Sequence, residues 1–109
     1  MPRFIVTGTY TQSSAAGMVD HPSNREDVAK KVIKKAGGKL ESFYATTGAT
    51  DFLVIVSIDD VADLIAAFMA VAATGSIGNI QTQRAFTGEE FMAMQKRAGE
   101  LKSSYSPPS

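Results

Sequence analysis

The chain carries one histidine, His21, and no cysteine. Thiolate nucleophiles, disulfides and zinc–thiolate sites are therefore excluded. His21 stands beside Pro22 at the end of a stretch rich in Ser, Ala and Gly. An imidazole there could act as a general base or as a haem or metal ligand; the plainer alternative is a loop-packing histidine. Its nearest acids in sequence are Asp20, Glu26 and Asp27. Sequence neighbours rarely converge on one ion, so no metal and no cofactor are expected. Asp51 is the second candidate base, because it opens an apolar segment where burial raises a carboxyl pKa. The preferred reading for Asp51 is a turn role, bonding backbone amides near Gly48.

Arg84 sits in the middle of a strand-like run, with Thr82 and Phe86 on its own face and Gln81 and Gln83 on the other. Its fork could clamp a carboxylate substrate or form an ion pair across a subunit boundary. Arg25 lies in the first turn of a helix, where the macrodipole disfavours a cation, which points to a specific partner such as Asp20 or a ligand anion. Tyr10, Tyr44 and Thr46 fall near strand ends and could orient an oxygenated or aromatic ligand, or serve as amphipathic packing residues. Loss of Met1 would expose Pro2 as an amine base, a different enzyme class.

The elements that must position these residues follow from periodicity. Residues 3–11 are dense in Thr and β-branched residues and read as a first strand. Residues 12–22 read as a long connection. Ser23 with Glu26 fits a capping box for a helix running to Ala36, stopped by Gly37-Gly38. Residues 39–46 and 51–58 form a hairpin around Thr47-Gly48-Ala49-Thr50. Asp59 or Asp60 caps the next helix, whose apolar positions Val61, Leu64, Ile65, Phe68, Met69 and Ala72 recur at helical spacing. Gly75 ends it, and residues 79–86 make a fourth strand after a turn at Ser76-Ile77-Gly78. Thr87 with Glu90 opens a last helix to Lys102, with a stripe of Phe91, Met94 or Gln95, Ala98 and Leu101.

This order predicts an α+β, ferredoxin-like βαββαβ chain with an additional C-terminal helix and an antiparallel sheet. Right-handed crossovers put both main helices on one sheet face. The segment Phe52 to Val56 is apolar at every position, as in strands covered on both faces. The chain has helices for one face only. A homodimer whose two sheets face each other is expected to cover the second. One domain over residues 1–102 and an unstructured tail over 103–109 complete the reading.

Composition narrows the partners. Lysine plus arginine number 11, aspartate plus glutamate 11, and the formal net charge is zero. A nucleic-acid partner needs a basic surface, and Lys30, Lys31, Lys34 and Lys35 read as a solvated helix face rather than a phosphate track. No secretory leader is visible, and the apolar run 61–73 is too short to span a bilayer. The expectation is a cytoplasmic protein with no nucleic-acid or membrane partner.

Three segments, HPSNRED, AGGKLESFYATTGATDFLVIV and AATGSIGNIQTQRAFTGEEF, resemble the GYD domain proteins, small bacterial members of the dimeric α+β barrel superfamily. The resemblance runs from about Phe4 to Ala98. It rests on Pro22 with Arg25, Gly37-Gly38, Tyr44, Gly48, Asp51, Gly75, Thr82 and the Thr87-Gly88-Glu89-Glu90 helix opening. Gly48 and Asp51 are in place, and Thr50 stands where the namesake tyrosine is expected. The resemblance implies a ferredoxin-like subunit and a dimeric α+β barrel. Relatives in the wider superfamily include cofactor-independent monooxygenases, lactone isomerases, haem-binding enzymes and ligand-binding regulatory domains, among which fold does not choose.

The functional expectation is a small-molecule-binding dimer, an accessory to a bacterial catabolic pathway. It predicts an apolar cavity on the order of a few hundred cubic ångströms between sheet and helices. Two alternatives stand beside it. One is a cofactor-independent isomerase or monooxygenase acting on a small aromatic or lactone. It would use His21 or Asp51 as base and Tyr10, Tyr44 or Arg84 as orienting groups. The other is a structural assembly protein stacking through its helices.

Overall fold

A computed structural model describes residues 1–108; Ser109, the end of the tail expected to be unstructured, lies outside the described residues. The chain runs β1 (Arg3–Tyr10), α1 (Gln12–Asp20), α2 (Arg25–Lys35), β2 (Lys39–Ala45), β3 (Phe52–Ser57), α3 (Val61–Ala72), β4 (Ile77–Ala85) and α4 (Gly88–Leu101), followed by a 3-10 turn at Lys102–Ser104. The sheet order is β2-β3-β1-β4, with every neighbouring pair antiparallel. This is the α+β, ferredoxin-like arrangement the element order predicts, with one helix added after β1.

The residues of β3 explain the layering. Phe52, Val54 and Val56 are buried, and pack with Phe4 and Val6 of β1, Ile33 of α2 and Leu64 of α3 in one cluster. Both main helices thus cover a single face. On the other face, Leu53 and Ile55 remain only partly covered. The register sets Ile5 opposite Ile55, and Thr7 and Tyr44 opposite Leu53, so an apolar centre with polar flanks is left without a layer over it.

Two glycines are required by geometry. Gly37 closes α2 at φ +95°, a left-handed conformation that side chains resist. Gly8 lets β1 pass the ring of Phe52, since a Cβ there would sit 2.6 Å from its Cζ.

Four local expectations are corrected. Residues 12–20 form helix α1 rather than a loop. Thr11 caps α1 and accepts from the Ser14 amide. The Thr11 hydroxyl donates to Gly75 O at 2.7 Å, and that of Ser14 to Ser76 O at 2.7 Å. These bonds pin α1 to the α3–β4 turn, although α1 buries no residue. The cap of α2 is Asn24, whose side chain accepts from the Glu26 amide, instead of Ser23; Ser23 faces Arg25. β4 begins at Ile77, inside the segment expected to turn. The apolar positions of α3 do not form one stripe: Leu64 and Ala67 are buried, whereas Val61, Ile65 and Met69 face outward.

The capping box of α4 is present as expected, with Thr87 and Glu90 each bonded to the other's amide. Yet α4 buries no residue. Its first turn is tied to β4 by an Arg84–Glu90 ion pair at 3.8 Å. The helix contributes to the elongated outline of 60 × 32 × 22 Å.

Candidate functional site

The sheet and helices leave an apolar cleft. Val28 and Val32 of α2, Phe68 and Val71 of α3, and Phe43 and Phe52 of the hairpin line a cavity of about 70 Å³. These residue types arise from the same periodicity that builds the core, so the cleft is where the two helices and the strand end stop short of full contact. The cavity is smaller than the few hundred cubic ångströms expected from sequence. At one end it reaches Tyr10 and Arg25. The same two residues, with Ser14, Met18, His21 and Ser23, border a second hollow of about 190 Å³. An apolar inner chamber and a polar outer one therefore share a tyrosine and an arginine.

Tyr10 is held from three sides. Its ring tilts against Phe52 with centroids 5.4 Å apart. Its amide donates to Asp51 Oδ2 at 2.8 Å. Burial raises the phenol above its ordinary pKa; the adjacent Arg25 guanidinium opposes that rise, and Asp51 adds to it. Arg25 opens α2 and donates from Nη1 to Ser23 Oγ at 3.2 Å. The partner suggested from sequence, Asp20, is absent from the ion pairs formed among the described residues. Arg25 is thus a cation against a phenol and a hydroxyl, beside an apolar chamber.

The other candidates are distributed differently. Asp51 works in the backbone: besides accepting from Tyr10, its own amide donates to Gly8 O at 2.8 Å. It fastens the hairpin to β1 and not, as the turn reading had it, to amides near Gly48. Thr46 donates from its hydroxyl to Thr50 O at 2.8 Å, closing the hairpin. His21 is exposed and follows α1, its amide bonded to Gly17 O at 2.8 Å. Tyr44 is 59% exposed on the open sheet face. Arg84 lies opposite Phe4, on the helix side. It stacks over the rings of Phe86 and Phe4, with its carbon 4.3 and 5.7 Å from their centroids, and pairs with Glu90 of its own chain. Register thus puts Tyr44 and Arg84 on opposite faces of the sheet, while Tyr10, Arg25 and His21 meet at one cleft.

Ser14 and Met18 were not legible as site residues. They reach the outer hollow because residues 12–20 coil into a helix, and a sequence read as a loop there gives them no common side. Among the described residues no cluster of three or more His, Asp or Glu side chains is placed to hold a metal. No helix of the described residues is long and apolar enough to cross a membrane.

Comparison with known proteins places this architecture. Among curated proteins, the chain is similar to the glutamine synthetase and cystathionine beta-lyase binding protein of Thermus thermophilus, with 31% identity over 77 residues, covering 71% of this chain and 81% of that protein. Among solved structures it is similar to the crystal structure of FFRP-DM1, with a TM-score of 0.51 and 16% sequence identity, covering 79% of this chain and 100% of that one; that likeness concerns the fold. The family model for the GYD domain matches residues 4–94, and the chain belongs to the GYD domain family.

Proposed function

We propose that the protein is a small-molecule-binding homodimer without a catalytic step of its own, acting in the bacterial cytoplasm. The observation that carries this reading is the cleft between sheet and helices, apolar within and bordered by Tyr10 and Arg25. A concave apolar site with a few convergent polar groups is the usual form of a ligand site. The acid–base candidates support binding over catalysis. The Asp51 carboxylate accepts the Tyr10 amide, and His21 stands on the exposed rim. The dimer is supported by the uncovered centre of Ile5, Leu53 and Ile55, which a second sheet would bury at a spacing of about 10 Å. Light scattering across a dilution series, run with and without small-molecule probes that shift the cleft residues in NMR spectra, tests both parts. A compact monomer at every concentration removes the dimer, and a set of cleft resonances unmoved by any apolar probe removes the binding site.

A second reading has its own support. The Thermus relative is named as a binding protein of two enzymes, and the alignment spans most of its length. We propose accordingly that this chain also docks a partner enzyme. Surface plasmon resonance against purified glutamine synthetase and cystathionine beta-lyase checks it; no response with either enzyme removes it.

A further inference from the structure

We infer that the cleft is a site for a small aliphatic monocarboxylate, its tail in the inner chamber and its carboxylate on Arg25. The inference deepens the small-molecule reading above and rests on it.

The argument starts from size. An inner chamber of about 70 Å³ is well below the roughly 300 Å³ from which drug-sized ligand pockets begin. It suits a short branched or straight hydrocarbon tail. Its walls are otherwise apolar, among them Val28, Val32, Phe43 and Phe68; besides Tyr10 and Arg25 only Ser76 is polar, and its hydroxyl already donates to Val71 O at 3.2 Å. A polar group carried into the chamber would lose its hydrogen bonds to water, so the ligand's polar end must lie toward Tyr10 and Arg25.

The polar end is then set by charge. Arg25 has hydroxyl and phenol neighbours and no carboxylate partner among the described residues. A guanidinium fork matches the two oxygens of a carboxylate, and the resulting charge-assisted bonds are stronger than neutral ones. One arginine balances one negative charge. A phosphate monoester would bring close to two and leave the excess facing Asp51 behind the Tyr10 backbone. The Tyr10 phenol faces Arg25 and its O–H is available as a further donor, and the hydroxyls of Ser14 and Ser23 line the outer hollow where a carboxylate would sit.

The position of Arg25 gains a reason. A cation in the first turn of a helix is disfavoured by the helix dipole. Asn24 already caps α2 without help from Arg25. Glu26 and Asp27 in the same turn already complement the dipole, so what a ligand anion at this point answers is the arginine.

The test uses the full-length chain and sodium isovalerate, with the neutral isostere isovaleramide as control, in NMR titration. Isovalerate is expected to saturate the resonances of Tyr10, Arg25, Val32 and Phe68, and isovaleramide to bind about tenfold or more weakly. Arg25→Gln should lose a similar factor for the acid and little for the amide. Ala29→Leu, which narrows the chamber, should weaken both. Equal binding of acid and amide, or full retention of isovalerate binding in Arg25→Gln, overturns the carboxylate assignment and leaves the small-molecule reading in place. Binding of isovalerate that moves only exposed lysines overturns it as adventitious. If neither probe moves any cleft residue, the assignment fails. If apolar probes of other shapes fail as well, the small-molecule reading fails with it.

Discussion

Helices α3 and α4 are of similar length, 12 and 14 residues, and both are capped at their N-termini by a side chain. Both carry apolar residues at helical spacing. Their fates differ. α3 places Leu64 at 0% exposure in the core and Phe68 on the cleft, whereas Phe91, Met94 and Leu101 of α4 stay 58%, 38% and 47% exposed. An isolated helix shorter than about 15 residues is marginal in water, and most helical stability in proteins comes from packing an amphipathic face. The periodicity of α4 therefore states a demand for cover that its own chain leaves unmet. The reason is topological. α4 leaves the sheet from edge strand β4, after α2 and α3 have already occupied the covered face. The open sheet face repeats the situation, with Leu53 and Ile55 half-covered beside fully buried Val54 and Val56. On the proposed dimer, one second copy answers both demands.

The contrast can be broken first at its stable end. Leu64→Ala should cost about 3 kcal/mol, the transfer term plus the cavity it leaves. Because Leu64 packs wholly within its own chain, urea denaturation should give the same loss at every protein concentration. A loss that grows on dilution would mean that the core itself depends on the partner.

The open face comes next. Ile55→Lys puts a charge at the centre of the proposed sheet-to-sheet contact, where an unpaired buried ion is strongly unfavourable. Light scattering should show the dimer weakened by about a hundredfold or more, with circular dichroism still showing a folded chain, because Ile55 is not part of the core. An unchanged dimer would place the interface elsewhere.

A smaller effect separates α4 from α3 directly. Phe91→Ala together with Leu101→Ala should lower the melting temperature of the dimer by the equivalent of about 1–2 kcal/mol. The same pair introduced into the Ile55→Lys monomer should change little, since nothing in the chain buries those side chains. Equal losses in both backgrounds would show that α4 packs on its own body in solution.

How much of this was readable in the sequence depended on which physical signal carried it. The doubly apolar run at β3, the glycine stop at Gly37 and the reciprocal Thr87–Glu90 cap are local patterns, and the structure reproduces each. Helix α1 was missed because it has no apolar stripe; hydrogen bonds from Thr11 and Ser14 to the distant turn at Gly75-Ser76 hold it. The cap of α2 was misplaced by one residue because Ser23 and Asn24 are both good caps, and only the contact with Arg25 separates them. The site divided along the same line. Alternation gives the face of Tyr44 or Arg84 within its own strand. It does not say which strand ends meet a helix: the register puts Tyr44 and Arg84 on opposite sides, and only the cleft between strand and helices shows Tyr10 beside Arg25.

The smallest effect concerns how α4 is held at its start. The Glu90 carboxyl lies below its ordinary pKa, first because the Thr87 amide donates to it at 2.8 Å, with the Thr87 side chain, Arg84 and Arg3 adding to the lowering. A carboxyl whose folded pKa is depressed contributes stability above the unfolded glutamic value, and that contribution is lost as pH falls through the folded one. Acid should therefore loosen the first turn of α4 as pH falls below the usual glutamic pKa. Amide hydrogen exchange at Phe91 and Met92, followed against pH, reports the event. Glu90→Gln retains the capping geometry without the titrating proton, so its exchange should lack the acid step. A step of the same size in the Gln variant would assign the loosening to another group.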